Sequence, residues 1–367
     1  MSLLHQVALT FIKGIGPAYA RAMIAYAGSA EAVFNTPVAK LKNVPGIADK
    51  RVGLLADMKS PLLRAEQELA FAEKNGVDII YYHDARYPKR LKSCDDAPLL
   101  LYSKGMADFN VPKVISIVGT RNATDYGKHL CNQLIEELQQ YHVLIASGLA
   151  LGIDTAAHRA SLKYNIPTVG VLGHGFDTMY PAGNRALADK MQKEGAVLTE
   201  YPSGTIPNRE NFPQRNRIVA GMADATIVVE ASIKGGALIT AEIANSYNRD
   251  VFAFPGRIND EFSEGCNFLI RNNKASLLSC MADLAFMMGW EKRDDAGSVP
   301  EQLMLPIDLS TPEQLIYETI RNNKAPLAID DLAIRISMPT STLAMNLLNM
   351  EMQGFIRSLP GKTYVVN

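Results

Sequence analysis

The chain has 367 residues, 37 Lys and Arg against 38 Asp and Glu, a formal charge of -1 and 47% apolar residues. That composition excludes wholesale disorder, and the length is enough for two or three domains with real cores. No stretch reaches the ~18 uninterrupted apolar residues of a membrane span, and the start lacks a basic segment leading into a cleavable apolar one, so a cytoplasmic protein with no membrane partner is expected.

In chain order, residues 1–75 read as short helices broken by Gly14-Ile15-Gly16-Pro17 and by Pro45-Gly46-Ile47. The stretches 9–27 and 41–55 each resemble a helix–hairpin–helix unit, whose glycine turn presents backbone amides to a phosphate. Lys13, Arg21, Lys42, Lys50 and Arg51 would add charge there; the alternative is a small helical bundle that only packs. Apolar runs of strand length follow at 77–82, 113–118, 142–147, 167–172, 196–199, 225–230 and 250–254. Helical stretches lie between most of them, at 127–141, 153–165, 184–194 and 236–249. Apolar strands that alternate with helices mark a parallel sheet covered on both faces.

The expected fold class is therefore α/β: a Rossmann-like, doubly wound, mostly parallel sheet over 76–290. It is flanked by an N-terminal helical domain (SAM or helix–hairpin–helix-like) over 1–75. A polar linker at 291–308 leads to a C-terminal winged helix over 309–367. In that last domain 312–321 would be the first helix, 329–336 and 341–353 the helix-turn-helix, and 355–366 the wing. The stretch 341–353 has no Lys or Arg and is rich in Met and Leu, which points to a protein-contact or regulatory module rather than a reader of bases. Residues 1–75, 76–308 and 309–367 carry +3, -4 and zero net charge, so any polyanion site must be a local patch.

Chemistry concentrates at the carboxyl ends of the strands, where doubly wound sheets bind ligands. Four of those ends run into glycine: Gly119-Thr120-Arg121, Ser147-Gly148, Gly173-His174-Gly175 and Lys234-Gly235-Gly236. Glycine lets a backbone approach an anion, and the amides of a following helix can donate to phosphate oxygens. The segment 201–221 adds Arg209, Arg215 and Arg217 beside Phe212, with three prolines taken to hold the path extended. Arginines suit phosphate oxygens and a ring suits a base. No GxGxxG, no GxxxxGK[ST], no HExxH and no GxSxG occurs, and the four cysteines show no CxxC spacing. Neither a cofactor nor a metal is expected.

Taken together, VGTRNATDYG (118–127), SGLALGIDTAAH (147–158), LGHGFDTMYP (172–181), TEYPSGTIPNRENFPQRNRIVAG (199–221), KGGALITAE (234–242) and FPGRINDEFSEGCNFLI (254–270) resemble the DNA-processing protein A family (DprA, also called Smf). The resemblance implies a single-stranded-DNA-binding protein of natural transformation and recombination, not an enzyme. It implies a protein that protects incoming strands, helps load a RecA-type recombinase and forms a homodimer through the Rossmann-like domain. Carried over by motif, the DNA site comprises Gly119, Arg121, Ser147, Gly148, Arg209, Phe212, Arg215, Arg217, Lys234 and Gly235. Two positions depart from the family pattern: Lys234-Gly235-Gly236 stands where Lys-Ser-Gly is usual, and Arg271 to Ala275 follow FLI where Gly-Ala is usual. The alternative function is a nucleotide phosphoribohydrolase-like enzyme acting on nucleoside monophosphates. The stretch GGALITAE resembles the glycine motif of such enzymes, with Glu242 as the acid.

Overall fold

A computed structural model describes residues 2–47, 53–291, 311–323, 327–353, 355–359 and 363–366. The linker expected at 291–308, apart from Glu291, and the charges at Lys50 and Arg51 lie outside the described residues. The chain forms two compact units, Met1–Ala296 and Gly297–Asn367.

In the first unit a nine-stranded sheet is built from β1 (Asp78–Tyr81), β2 (Leu100–Gly105), β3 (Lys113–Val118), β4 (Val143–Ser147), β5 (Thr168–Val171), β6 (Ala196–Thr199), β7 (Ala225–Val228), β8 (Asp250–Ala253) and β9 (Ser276–Leu277). Their spatial order is β1-β2-β6-β5-β4-β3-β7-β8-β9. From β6 to β9 every pairing is parallel; β1 and β2 extend the sheet antiparallel. The chain starts the parallel sheet at β3, winds out to β6, then returns to β7 on the other side of β3. The order therefore switches between β3 and β7, the place where such sheets open a crevice.

Strand alternation explains why the sheet is coated twice. Val114, Val118, Leu144 and Ala146 face one core, while Ile115, Ile117, Val143 and Ile145 face the other. Strands buried on both sides read as near-continuous apolar runs, which is how they appear in the sequence. A polar pair in the centre satisfies itself: the Ser116 hydroxyl donates to Thr226 Oγ1 across the β3–β7 register at 2.7 Å.

The N-terminal helices (Leu3–Thr10, Pro17–Ala27, Ala30–Asn35, Val38–Leu41 and Lys59–Asn75) share a core with the antiparallel edge, through Tyr81, Leu99, Leu100 and Tyr102. A polar clasp adds to it. Buried Glu68 accepts from the Ser203 amide (2.9 Å) and hydroxyl (2.6 Å), and Arg64 pairs with Glu68 at 2.9 Å. The first glycine hairpin turns inward: Ile15, Gly16 and Pro17 line a cavity of about 230 Å³ against Pro98–Leu100 and Glu200–Pro202. Arg21 donates to the carbonyls of Ala97 and Asp95. Of the two readings of this domain, the geometry of its first hairpin favours packing.

The second unit contains helices Thr311–Arg321, Ile329–Ile336 and Thr340–Met352, and a small sheet of Leu327–Ala328, Ile356–Leu359 and Thr363–Val366. Leu332, Leu343, Leu347, Met350 and Ile356 form its separate core. This is the winged-helix arrangement expected from the sequence. Glu351 accepts from the Ser358 amide and hydroxyl, tying the last helix to the wing. Among the described residues no helix is long and apolar enough to cross a membrane.

Candidate nucleic-acid interface

A cleft of about 500 Å³ opens at the carboxyl ends of β3, β4 and β7, at the switch point. Its walls come from the Gly119–Arg121 turn, from Gly148 and Ala150, from Arg209, Phe212, Arg215, Asn216 and Val219, and from the stretch that begins at Gly235 and Gly236 and reaches Thr240. Tyr180 closes one side.

The Arg121 turn is held from both sides. The Thr120 amide donates to Glu230 O at the end of β7 (2.7 Å), and the Ile153 amide donates to Thr120 O (3.1 Å). The Glu230 carboxylate accepts from the Thr124 amide (3.0 Å) and hydroxyl (2.5 Å), fixing the N-cap of the helix Asp125–Leu138. A buried acid thus anchors the loop while the Arg121 side chain stays exposed. The next turn is equally tied down: Asn184 Nδ2 donates to Leu149 O (3.0 Å) and to Thr155 Oγ1 (2.9 Å), and the Thr155 hydroxyl donates to Ala150 O (2.6 Å).

The segment 201–221 departs from the expected extended path, because Asn211–Gly221 is a helix. Pro213 falls in its first turn, where an amide needs no intrahelical partner, so proline is tolerated there. The helical period then separates the arginines. Phe212 and Arg215, three residues apart, share the cleft face. Arg217, two positions on, points elsewhere: it donates to Asp96 O at 2.7 Å and pairs with Glu200. Arg217 therefore does not line the cleft.

Arg215 lies beneath the cleft floor rather than on its surface. It is buried, donates to the carbonyls of Gly148 and Val171, and sits 6.0 Å from the Phe212 ring centroid. Burial pulls its guanidinium down to about 10, with Asp154 opposing that shift. Burial pushes the Asp154 carboxyl up, with the Arg215 charge opposing. Each side chain supplies the charge that makes burying the other tolerable. A side chain at Gly148 would collide with the Arg215 guanidinium, so this glycine admits an arginine, not a ligand. Gly119 lines the cleft but is likewise filled from behind, by Ile153.

What faces the open cleft is narrower than the motif set. Arg121 lies 5.4 Å above the Phe212 ring, and the Tyr180 and Phe212 rings lie 5.7 Å apart at 40°. Arg209 is exposed at the rim. Among the described residues neither Arg121 nor Arg209 pairs with a carboxylate. Opposite them begins the helix Gly236–Ser246, N-capped by Gly235; its start, Gly235 to Ala237, lines the cleft, with open space beside Gly236.

Ser147 is buried and donates to Ile117 O at 2.6 Å, so it braces β4. Lys234 is exposed but stands outside the cleft lining, just before Gly235 and Gly236, which belong to it. Motif matching passed over Tyr180, Asn216 and Thr240. Tyr180 had a signal, because it lies in the LGHGFDTMYP loop after β5; buried His174 holds it, its ring Nε2 3.2 and 3.3 Å from the Tyr180 amide and carbonyl. Asn216 and Thr240 also lie within the motifs, but that they face the cleft follows only from helical phase.

Residues 78–289 match the DNA recombination-mediator protein A family. The chain belongs to that family. The flanks agree: residues 300–362 match the DprA winged helix domain and 7–57 a SAM-like helix-hairpin-helix tandem. Protein Smf of Synechocystis is 32% identical over 98% of this chain and 98% of its own length. DNA processing protein DprA of Bacillus subtilis is 41% identical over 58% of this chain and 71% of its own. The X-ray structure of DprA from Streptococcus pneumoniae superposes with a TM-score of 0.68 at 31% identity, covering 79% of this chain and 99% of that one. A second family structure, of DNA processing protein A from Helicobacter pylori, was described for its single-stranded DNA binding mode. It superposes with a TM-score of 0.53 at 27% identity, covering 59% of this chain and 97% of that one. The fold class and family expected from the motifs are both borne out.

The hydrolase alternative loses its acid. Glu242 lies outside the cleft lining, is 58% exposed and pairs with Lys274 at 3.0 Å. Helical phase carries it away from the cleft that Gly236, Ile239 and Thr240 face. Asp154 is the carboxylate of the lining, and it is held under Arg215.

Proposed function

We propose that this family member binds single-stranded DNA in the cleft and acts in DNA processing during natural transformation and recombination. Arg121 and Arg209 contact phosphates, the amides from Gly236 onward cradle another, and unpaired bases stack on Phe212 and Tyr180. The observation that carries this reading is that two arginines, without carboxylate partners among the described residues, line one cleft with a pair of rings and a helix start, Arg121 lying over the Phe212 ring. The single-strand binding of the Helicobacter pylori relative supports it. The remaining parts of the proposal extend the family resemblance: a non-enzymatic, cytoplasmic protein that acts as a homodimer through the sheet domain and hands the strand to a RecA-type recombinase.

The test is fluorescence anisotropy of a labelled dT oligonucleotide with the full chain, at two salt concentrations and with duplex competitor. Affinity should fall with log salt by about 0.7 per phosphate neutralised, duplex should not displace the strand, and Phe212→Ala should weaken binding about tenfold. Absence of binding at micromolar protein, or binding indifferent to salt, rejects the reading.

A further inference from the structure

A second depression, of about 580 Å³, lies beyond the cleft, and none of the DNA-site residues carried over by motif lines it. Leu151 joins the two: it lines this depression and also the recess that holds Arg121, Phe212 and Tyr180, and it is 51% exposed. The walls are the exposed faces of two helices packed side by side, Asp125–Leu138 and Ile153–Lys163, closed by the Gly183–Asn184 turn. Lys128 and Asn132 stand one turn apart on the first helix, Arg159 and Lys163 one turn apart on the second. Among the described residues no Asp or Glu lines it. Asp125 pairs with Lys128 at 3.0 Å from the rim. Lys163 contacts the Tyr164 hydroxyl at 2.9 Å, and Arg159 has no carboxylate partner among the described residues.

The rest of the sheet domain makes this placement informative. Residues 76–290 are nearly balanced, with a net -1, so a trench with three cations and no carboxylate among the described residues is a local concentration of positive charge. Nor does an aromatic side chain line the trench among those residues, unlike the cleft. It can therefore bind a phosphate backbone without gripping bases. The second helix has 11 residues and runs about 16 Å from Ile153 to Lys163. The spacing of Arg159 and Lys163 gives two cation positions along that path.

Resting on the single-strand reading of the cleft, we propose that the strand leaves the cleft over Leu151 and runs along this trench, its phosphates on Arg159, Lys163 and Lys128. The cleft then holds bases and the trench holds backbone. Sequence-independent affinity would grow with strand length until the trench is filled, then level off.

The experiment compares a short dT oligonucleotide of about 6 nucleotides with one of about 20, on the full chain and on the double variant R159Q/K163Q. Both side chains are exposed on a helix and glutamine is a good helix former, so the fold should survive; an unchanged melting temperature confirms it. The short oligonucleotide should bind both proteins alike. For the long one the variant should lose about 1.4 from the salt slope, so that going from about 50 to about 200 mM salt costs wild type about sevenfold more affinity than the variant. A long-strand affinity and slope equal to wild type in the variant overturns the trench. Failure of both oligonucleotides to bind the wild type instead overturns the cleft reading on which it rests. Equal loss for both lengths also overturns the trench, because it makes the two residues part of the cleft's own grip.

Discussion

At the scale of single residues, the cleft is held up by charges and polar groups buried beneath it, and one of them sets a pH limit. His158 lies fully buried behind β4, its Nδ1 2.7 Å from Thr168 Oγ1. The Thr168 hydroxyl proton is already given to Ile145 O, so Nδ1 carries the ring's proton and donates. Nε2 is buried with no hydrogen-bond partner. Burial, helped by the Arg215 charge, pulls this imidazole from 6.5 down to about 3. Below pH 6.5 the unfolded chain takes up a proton that the folded chain refuses, so the unfolded state binds more protons and stability falls as the pH drops towards 3. The slope from this one group is about 1.4 kcal/mol per pH unit. His158→Gln keeps a donor for Thr168 but cannot titrate. Urea unfolding of the two proteins between about pH 7 and pH 4 should show the variant's stability curve shallower by about that amount per unit. Parallel curves would mean that the imidazole charges in the folded state.

At the scale of elements, the joint between the N-terminal helices and the sheet domain is the feature most sensitive to a single change. Glu68 sits on the helix Lys59–Asn75 with its carboxylate buried, receiving both Ser203 donors and the Arg64 guanidinium. Glu68→Ala removes the acceptor for all of them and leaves the Ser203 amide without its partner. The expected cost is about 3 kcal/mol, read as a lowered melting temperature, while dT affinity measured well below that temperature stays within twofold. A variant as stable as wild type would show that the apolar core around Tyr81 and Tyr102 holds the joint alone. Elements of this kind differ in how visibly the sequence announces them. Strands such as 113–118 and 196–199 were legible to the residue because both faces are buried and most positions are apolar. β2 escaped, since its apolar run at 99–102 follows a proline and ends at Gly105 with no crossover helix beside it, and β9 has only two residues. The same limit governs the site. Glycine and arginine motifs marked loops that line the cleft, but whether Arg215 and Arg217 reach it depends on helical phase, and the prolines of 201–221 disguised the helix that sets it. A hydrogen bond such as that from Ser203 to Glu68, 135 residues apart in the chain, leaves no local trace.

At the scale of the whole molecule, charge is distributed so that one place can hold a polyanion. The chain is nearly neutral at -1, and the segment 309–367 is neutral by itself. A global field therefore gives little steering, and affinity for a strand is expected to come from local groups: the arginines and helix start of the cleft and the cations of the trench. The winged-helix unit is expected to add little to that. The helix in the recognition position, Thr340–Met352, buries Leu343, Leu347 and Met350, and its solvent face shows Met345, Leu348 and Met352. That face also exposes Ser341, Thr342 and Asn349 but carries no Lys or Arg, so it has no cation to attract phosphates. Its own core, around Ile316, Leu332 and Leu347, is separate from those of the first unit. Deleting residues 309–367 should therefore leave the melting of the first unit intact and keep dT affinity within tenfold of the full chain, with an unchanged salt slope. Retention of both places single-strand binding in the first unit and assigns the methionine face to protein contact. A drop in affinity beyond tenfold, or a slope shallower by about 0.7 for each phosphate no longer neutralised, would mean that cations of the deleted segment, such as Arg335 or Arg357, grip the strand, and the winged helix would then be a nucleic-acid-binding element after all.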